Sequence, residues 1–233
     1  FYVLADFGFN GYILGRLQDS NFSLEWRKFL GVRIVWGLFL TLLATTLVFI
    51  FAPYLIDFKL AVLVGVGTIF LNSLFFSAQA LIQSKLKYEY ATWPVFLSAP
   101  AGVLLIYYLS SQGMPIYYLT AGYVLSWLIY TGLAYLVLKK IIKNFSPIFD
   151  KGYAKSLFSG SLPLATTLFL NVIYFRVDSF ILSYFRNISE VGIYNLSYQL
   201  FQAVLVLPTY IMNVFYPMML QALNMDNKNF LRQ

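Results

Sequence analysis

The sequence predicts an all-α integral membrane protein, a polytopic helical bundle of six full transmembrane helices plus one partial helix. Three observations carry this. Only 11% of the 233 residues are charged while 60% are hydrophobic, and a soluble domain is about one quarter charged. Long stretches hold no Asp, Glu, Lys or Arg. The basic residues then collect in alternate gaps between those stretches. Runs such as Leu38-Phe39-Leu40 and Val103-Leu104-Leu105-Ile106 are apolar on every side. A transmembrane strand would alternate instead.

A helix needs roughly 20 apolar residues to cross the hydrocarbon core. Residues 1–15 are apolar except for Asp6 and read as the end of a helix. The charge-free run 34–56, of 23 residues, predicts a helix over 31–56. The run 60–84 is 25 residues long and predicts the next. Residues 91–138 form an uncharged run of 48 residues, too long for one span. Its middle, Ser110-Ser111-Gln112-Gly113-Met114-Pro115, is a turn signal, so it predicts helices over 91–110 and 115–138. The runs 156–175 and 191–225 predict helices over 157–185 and 195–222. The chain begins inside a helix and ends in a polar stretch, and is expected to be a piece of a longer protein.

The formal net charge is +7. Thirteen of the 16 Lys and Arg residues fall on one side of this arrangement: Arg16, Arg27, Lys28 and Arg33, then Lys85 and Lys87, then Lys139, Lys140, Lys143, Lys151 and Lys155, then Lys228 and Arg232. Cytoplasmic loops carry such an excess, so loops 16–33, 85–87 and 139–155 and tail 226–233 are expected to be cytoplasmic. The same distribution sets aside nucleic acid as a partner; the lipid bilayer explains the charge. His and Cys are absent, which excludes His/Cys metal sites, thiol nucleophiles and imidazole acid–base chemistry. No cofactor is expected, and the chain is not expected to be an enzyme.

The second half carries a recognisable pattern. Ser159-Gly160-Ser161-Leu162-Pro163-Leu164 enters a helix, Arg176-Val177-Asp178 follows, then Val191-Gly192-Ile193-Tyr194-Asn195, and later Leu207-Pro208 and Phe215-Tyr216-Pro217. These residues resemble the polysaccharide-biosynthesis, or oligosaccharide flippase, family of the multidrug/oligosaccharidyl-lipid/polysaccharide exporter superfamily. Ala5-Asp6-Phe7-Gly8-Phe9-Asn10 resembles that family's second transmembrane helix. The resemblance implies two six-helix lobes around a central cavity. Residues 1–145 would be an N-terminal lobe without its first helix, 146–156 a linker, and 157–233 the start of the second lobe. It also implies a multi-pass protein of a prokaryotic cytoplasmic membrane. The implied cargo is a lipid-linked oligosaccharide of the polyprenyl-diphosphate type, moved by alternating access with a coupling proton or cation. A drug or cation antiporter of the same superfamily and a membrane-embedded polysaccharide polymerase are the alternatives.

Ionisable groups within a span are costly and often functional. Asp6 lies about 15 Å from Arg16 along a helix. It either lines the cavity, pairs with a group in a preceding helix, or caps a helix break at Gly8. Arg176 and Asp178 lie about 28 and 32 Å along their segment counted from Leu157. Arg176 is a phosphate ligand at the cavity mouth or an interface anchor; Asp178 braces the following loop or caps local backbone. Arg16, Arg27, Lys28 and Arg33 are topology determinants, and Arg16 is the one placed to attract a diphosphate. Asn10, Asn72, Gln79, Asn171, Gln199, Gln202 and Asn213 are neutral polar residues within spans, suited to helix–helix hydrogen bonds or to sugar hydroxyls. Asn72 and Gln79 join Arg16, Arg176, Asp6 and Asp178 as candidate substrate-binding residues.

Overall fold

The structure, a computed structural model, describes residues 2–17, 21–51, 56–87 and 89–224. Among the described residues the chain is helical with no strand. The helices are α1 (Tyr2–Asp6), α2 (Phe9–Arg16), α3 (Phe22–Phe51), α4 (Ile56–Ser84), α5 (Glu89–Ser111), α6 (Ile116–Leu138), α7 (Lys151–Phe185) and α8 (Ile188–Asn224). The last six are long and apolar enough to cross a membrane. The expected all-α bundle with a turn at 110–115 is therefore the fold found. The tail 226–233, with Lys228 and Arg232, lies outside the described residues.

Three helices, α3, α7 and α8, begin well before the apolar runs predict, and α4 and α5 slightly before; local capping explains two of the larger shifts. Asp150 caps α7: its carboxylate accepts from the Tyr153 amide at 3.0 Å and pairs with Lys28 Nζ at 2.9 Å. Asn187 accepts from the Glu190 amide at 2.9 Å and donates back to the Glu190 carboxylate at 3.0 Å. The first bond is an N-cap, which satisfies one otherwise unpaired amide at the helix start; the second joins the two side chains and steadies it. The third early start, α3 at Phe22, draws Arg27, Lys28 and Arg33 out of the expected loop and into a helix. Hydropathy stops at a charged residue; a helix need not.

The opening segment is broken where one helix was expected. Phe7 and Gly8 both adopt left-handed backbone, at φ 47° and 67°. For Phe7 this costs about 1–2 kcal/mol. Its ring is held against Phe9, Trp36 and Phe158, at centroid distances of 5.4, 6.1 and 5.2 Å. Gly8 is required twice, for its φ and because α7 runs against it. A Cβ there would lie 2.6 Å from Leu164 Cβ.

Helix α4 is the centre of the bundle, packing on α1, α2, α3, α5, α6 and α8. The main core sits toward the end that carries the basic loops, hereafter the basic face. It gathers Phe9, Ile13, Trp26, Phe29, Leu81, Leu138 and Leu157. Away from it, Leu42, Phe49, Phe96, Val103, Phe180 and Leu200 are exposed. In water such a surface would be untenable; in lipid it is the expected outer belt.

Candidate functional site

Two constellations stand inside the bundle. The first is built on the α1–α2 break. An interrupted helix leaves carbonyls without their amide partners, and lipid offers no water to satisfy them. Here α3 supplies the donors. Trp36 Nε1 donates to the Leu4 carbonyl at 2.8 Å, and Arg33 to the Ala5 carbonyl at 2.6 Å. The other Arg33 terminal nitrogen donates to Asp6 Oδ1 at 2.9 Å and to Asn10 Oδ1 at 2.6 Å. The Arg33 side chain is wholly buried, and its guanidinium carbon lies 5.4 and 5.2 Å from the Phe9 and Phe29 ring centroids. It is about 16 Å from the start of α3 at 1.5 Å per residue. The expectation that Arg33 is a loop topology determinant is thus corrected. It belongs to the buried stripe of α3, Trp26, Phe29, Arg33, Gly37, Leu40 and Ala44. The partner of Asp6 is thus on the following helix, α3, and is none of those expected for it from the sequence.

The second constellation is a cavity of about 730 Å³ between α4, α7 and α8. Gln79 from α4, Asn171 and Phe175 from α7, and Gln202, Thr209 and Tyr210 from α8 line it. Among the described residues, no acidic or basic side chain lines it; Leu205, Val206 and Pro208 complete the lining. Gln79 Oε1 is buried and accepts no hydrogen bond among the described residues. Asn72, seven residues earlier and so on the same side of α4, has a buried Oδ1 in the same condition. Of the neutral polar residues singled out by sequence, Gln79, Asn171 and Gln202 are thus brought together. Asn10 instead serves Arg33, Gln199 is exposed, and the Asn213 side chain lies outside what is described.

The remaining candidates are dispersed. Arg16 ends α2 on the basic face. Its guanidinium donates to the Tyr12 hydroxyl at 2.6 Å and to Ser156 Oγ at 3.3 Å. Nearby, Lys85 donates to the Leu17 carbonyl at 3.1 Å and lies over the Phe22 ring, and burial pushes its pKa down. Arg176 is exposed; its neighbour Phe175, not Arg176, lines the cavity. Asp178 accepts from the Tyr194 hydroxyl at 2.5 Å, and one residue on Ser179 donates to Asn195 at 2.9 Å. These two bonds clasp α7 to α8. Sequence reasoning missed Arg33 and Trp36, and from the cavity Phe175, Thr209 and Tyr210. Among the described residues no group of three or more acidic side chains could hold a metal ion.

The arrangement defines a class: a multi-pass helical membrane protein with a cavity between α4, α7 and α8 whose lining mixes amides, hydroxyls and aromatic rings with Leu205, Val206 and Pro208. A family model described as polysaccharide biosynthesis protein matches residues 1–223, and the chain belongs to that family. No curated protein and no solved structure matches it. The chain is therefore a membrane protein of polysaccharide biosynthesis.

Proposed function

We propose that this protein carries a lipid-linked oligosaccharide of the polyprenyl-diphosphate type across the cytoplasmic membrane, working by alternating access between two lobes. Residues 1–145 belong to one lobe and 157–233 to the other, joined through 146–156, with the basic loops in the cytoplasm. The observation that carries this reading is the cavity of about 730 Å³ between α4 and the α7–α8 pair. Its volume is that of a small-molecule site, and it lies among helices that cross the membrane. A glycan's main obstacle is the loss of water in hydrocarbon, and amides replace water's hydrogen bonds. Family membership supports the link to polysaccharide. The test is made at the chromosomal gene. Gln79→Leu with Gln202→Leu should reduce surface glycan and accumulate lipid-linked glycan in the inner leaflet, at protein levels equal to wild type. Normal surface glycan in that strain, or in a strain without the gene, overturns the proposal.

A further inference from the structure

Lys87 and Lys140 come from different connections, yet their ammonium nitrogens lie 5.4 and 5.7 Å from the centroid of one ring, that of Tyr90. Local backbone holds them there. Leu86 adopts left-handed backbone at φ 54°, and across it the Lys87 amide bonds to the Ile82 carbonyl at 3.1 Å. A helix C-terminus is commonly closed in this way. The Tyr90 amide then bonds to the Lys87 carbonyl at 2.9 Å. Lys140 follows the end of α6, its amide bonded to the Val137 carbonyl at 3.0 Å. Tyr90 is half-buried and packs against the main core. Two like charges gathered on one fixed ring repel each other. Among the described residues neither lysine makes an ion pair, and the exposed Glu89 beside them bridges neither.

We propose that Lys87, Tyr90 and Lys140 hold the phosphate of an anionic glycerophospholipid from the leaflet at the basic face, with an acyl chain lying along α5. The two ammoniums meet the phosphate oxygens, and an anion between them turns their repulsion into attraction. What lies beneath Tyr90 makes the bilayer the source. At helical spacing from Tyr90, Trp93, Leu97 and Leu104 continue the same face of α5. They are 62%, 56% and 66% exposed. The face from Tyr90 to Leu104 is about 21 Å long at 1.5 Å per residue. A cationic end that opens onto an apolar face suits a ligand with an anionic end and a hydrocarbon end. Trp93, one turn from Tyr90, has the place of an interfacial tryptophan. A soluble phosphate would meet the lysines and gain nothing from the face below. The site is independent of the cargo proposed above.

Trp93 makes the site measurable. Trp26 is buried and Trp36 and Trp127 are half-buried, and the quenching lost in Trp93→Phe isolates the signal of Trp93. The purified protein is reconstituted in phosphatidylcholine bilayers with a rising fraction of lipid brominated on its acyl chains, either phosphatidylglycerol or phosphatidylcholine. Bromine quenches an indole that it touches. Half-quenching of Trp93 should need about tenfold less brominated phosphatidylglycerol than brominated phosphatidylcholine. Lys87→Gln and Lys140→Gln should each reduce that preference to about threefold, and the pair should abolish it, with quenching by phosphatidylcholine unchanged. Lys87→Arg keeps the charge and should keep the preference. Lys59→Gln, at the opposite end of α4, should leave it as in wild type. Equal quenching by the two lipids, or a preference that the double variant retains, overturns the proposal. Millimolar glycerol phosphate should not relieve the quenching; relief would make this a site for soluble phosphates and overturn the lipid assignment.

Discussion

Replacing Arg33 with alanine removes the cation that holds the α1–α2 break together, and its cost can be worked from the geometry. The Arg33 side chain is 0% exposed and that of Asp6 22%. Breaking a buried ion pair from one side costs about 3–5 kcal/mol, because the remaining charge is left uncompensated. The Ala5 carbonyl also loses its donor, a penalty of about 1–3 kcal/mol when buried. These losses share one residue and overlap, and Asp6 keeps some solvent contact. Arg33→Ala should therefore cost about 4 kcal/mol. Asp6→Ala leaves the wholly buried Arg33 without its counter-charge but with the Ala5 and Asn10 oxygens, and should cost about as much. The double substitution should cost less than the sum by about 2 kcal/mol, within the range for groups in direct contact. Arg33→Lys keeps the charge but not the planar fork that reaches three oxygens, and should fall between. The assay is unfolding in mixed micelles by increasing SDS, followed by tryptophan fluorescence. Trp26 is buried in the adjoining core and Trp36 is bonded to the break, so both report on it. A loss under about 1 kcal/mol for Arg33→Ala, or a coupling under about 0.5 kcal/mol, would refute the reasoning.

Gly8→Ala should destabilise by about 2 kcal/mol or more, from its left-handed φ and its approach to Leu164. Gly15→Ala, with nothing within 4 Å of the new methyl, should be neutral or mildly stabilising in the same SDS titration. Asp150 has its pKa lowered by the Tyr153 amide and by Lys28. A depressed carboxylate stabilises above its unfolded value of about 3.9 and loses that contribution as pH falls through the lower folded value. Wild type should accordingly lose thermal stability below about pH 4 that Asp150→Asn, which still caps, does not lose. In surface-glycan assays at matched protein levels, Arg16→Ala should impair export more than Arg176→Ala, and Arg176→Lys should be indistinguishable from wild type. Equal effects at the two sites refute that order.

The fold class was legible because the bilayer imposes a length rule on apolar runs, and that rule needs no tertiary information. The turn at Gly113 and Pro115 was read for the same reason: both residues have strong local preferences. Helix starts were less legible. The caps at Asp150 and Asn187 are local signals in plain sight, but they lie among charges that a hydropathy reading treats as loop. The break at Phe7–Gly8 had a partial signal in Gly8 alone. What fixes it is α7 arriving from more than 150 residues away, which no local pattern contains. Arg33 was misplaced because counting charges by loop ignores helical phase. Read at spacings of three and four, it falls on the same stripe as Trp26, Phe29 and Leu40. The cavity was half visible. Gln79, Asn171 and Gln202 could each be noticed as polar residues in a span, yet only packing shows that they meet while Asn10 does not.

The distribution of cations bears on how a diphosphate would be handled. A guanidinium binds phosphate well only if its fork is free. Arg33 is wholly buried, but its terminal nitrogens are committed to Ala5, Asp6 and Asn10. Freeing it for cargo would leave the break without donors, so its charge serves the scaffold. Arg176 is exposed and outside the cavity lining, where an arginine snorkelling to headgroups behaves in the same way. Arg16 differs from both. It is half-buried, its bonds to Tyr12 and Ser156 orient it, and both partners are neutral hydroxyls that leave its charge uncompensated. It also joins α2 to α7, the helices on either side of the proposed lobe boundary. Under the proposed function, a diphosphate arriving at the basic face meets Arg16 first, and the sugar it carries extends toward Gln79 and Gln202. The charged and uncharged parts of the cargo are then recognised by separate groups, so a cavity without cations is compatible with a substrate that is anionic overall.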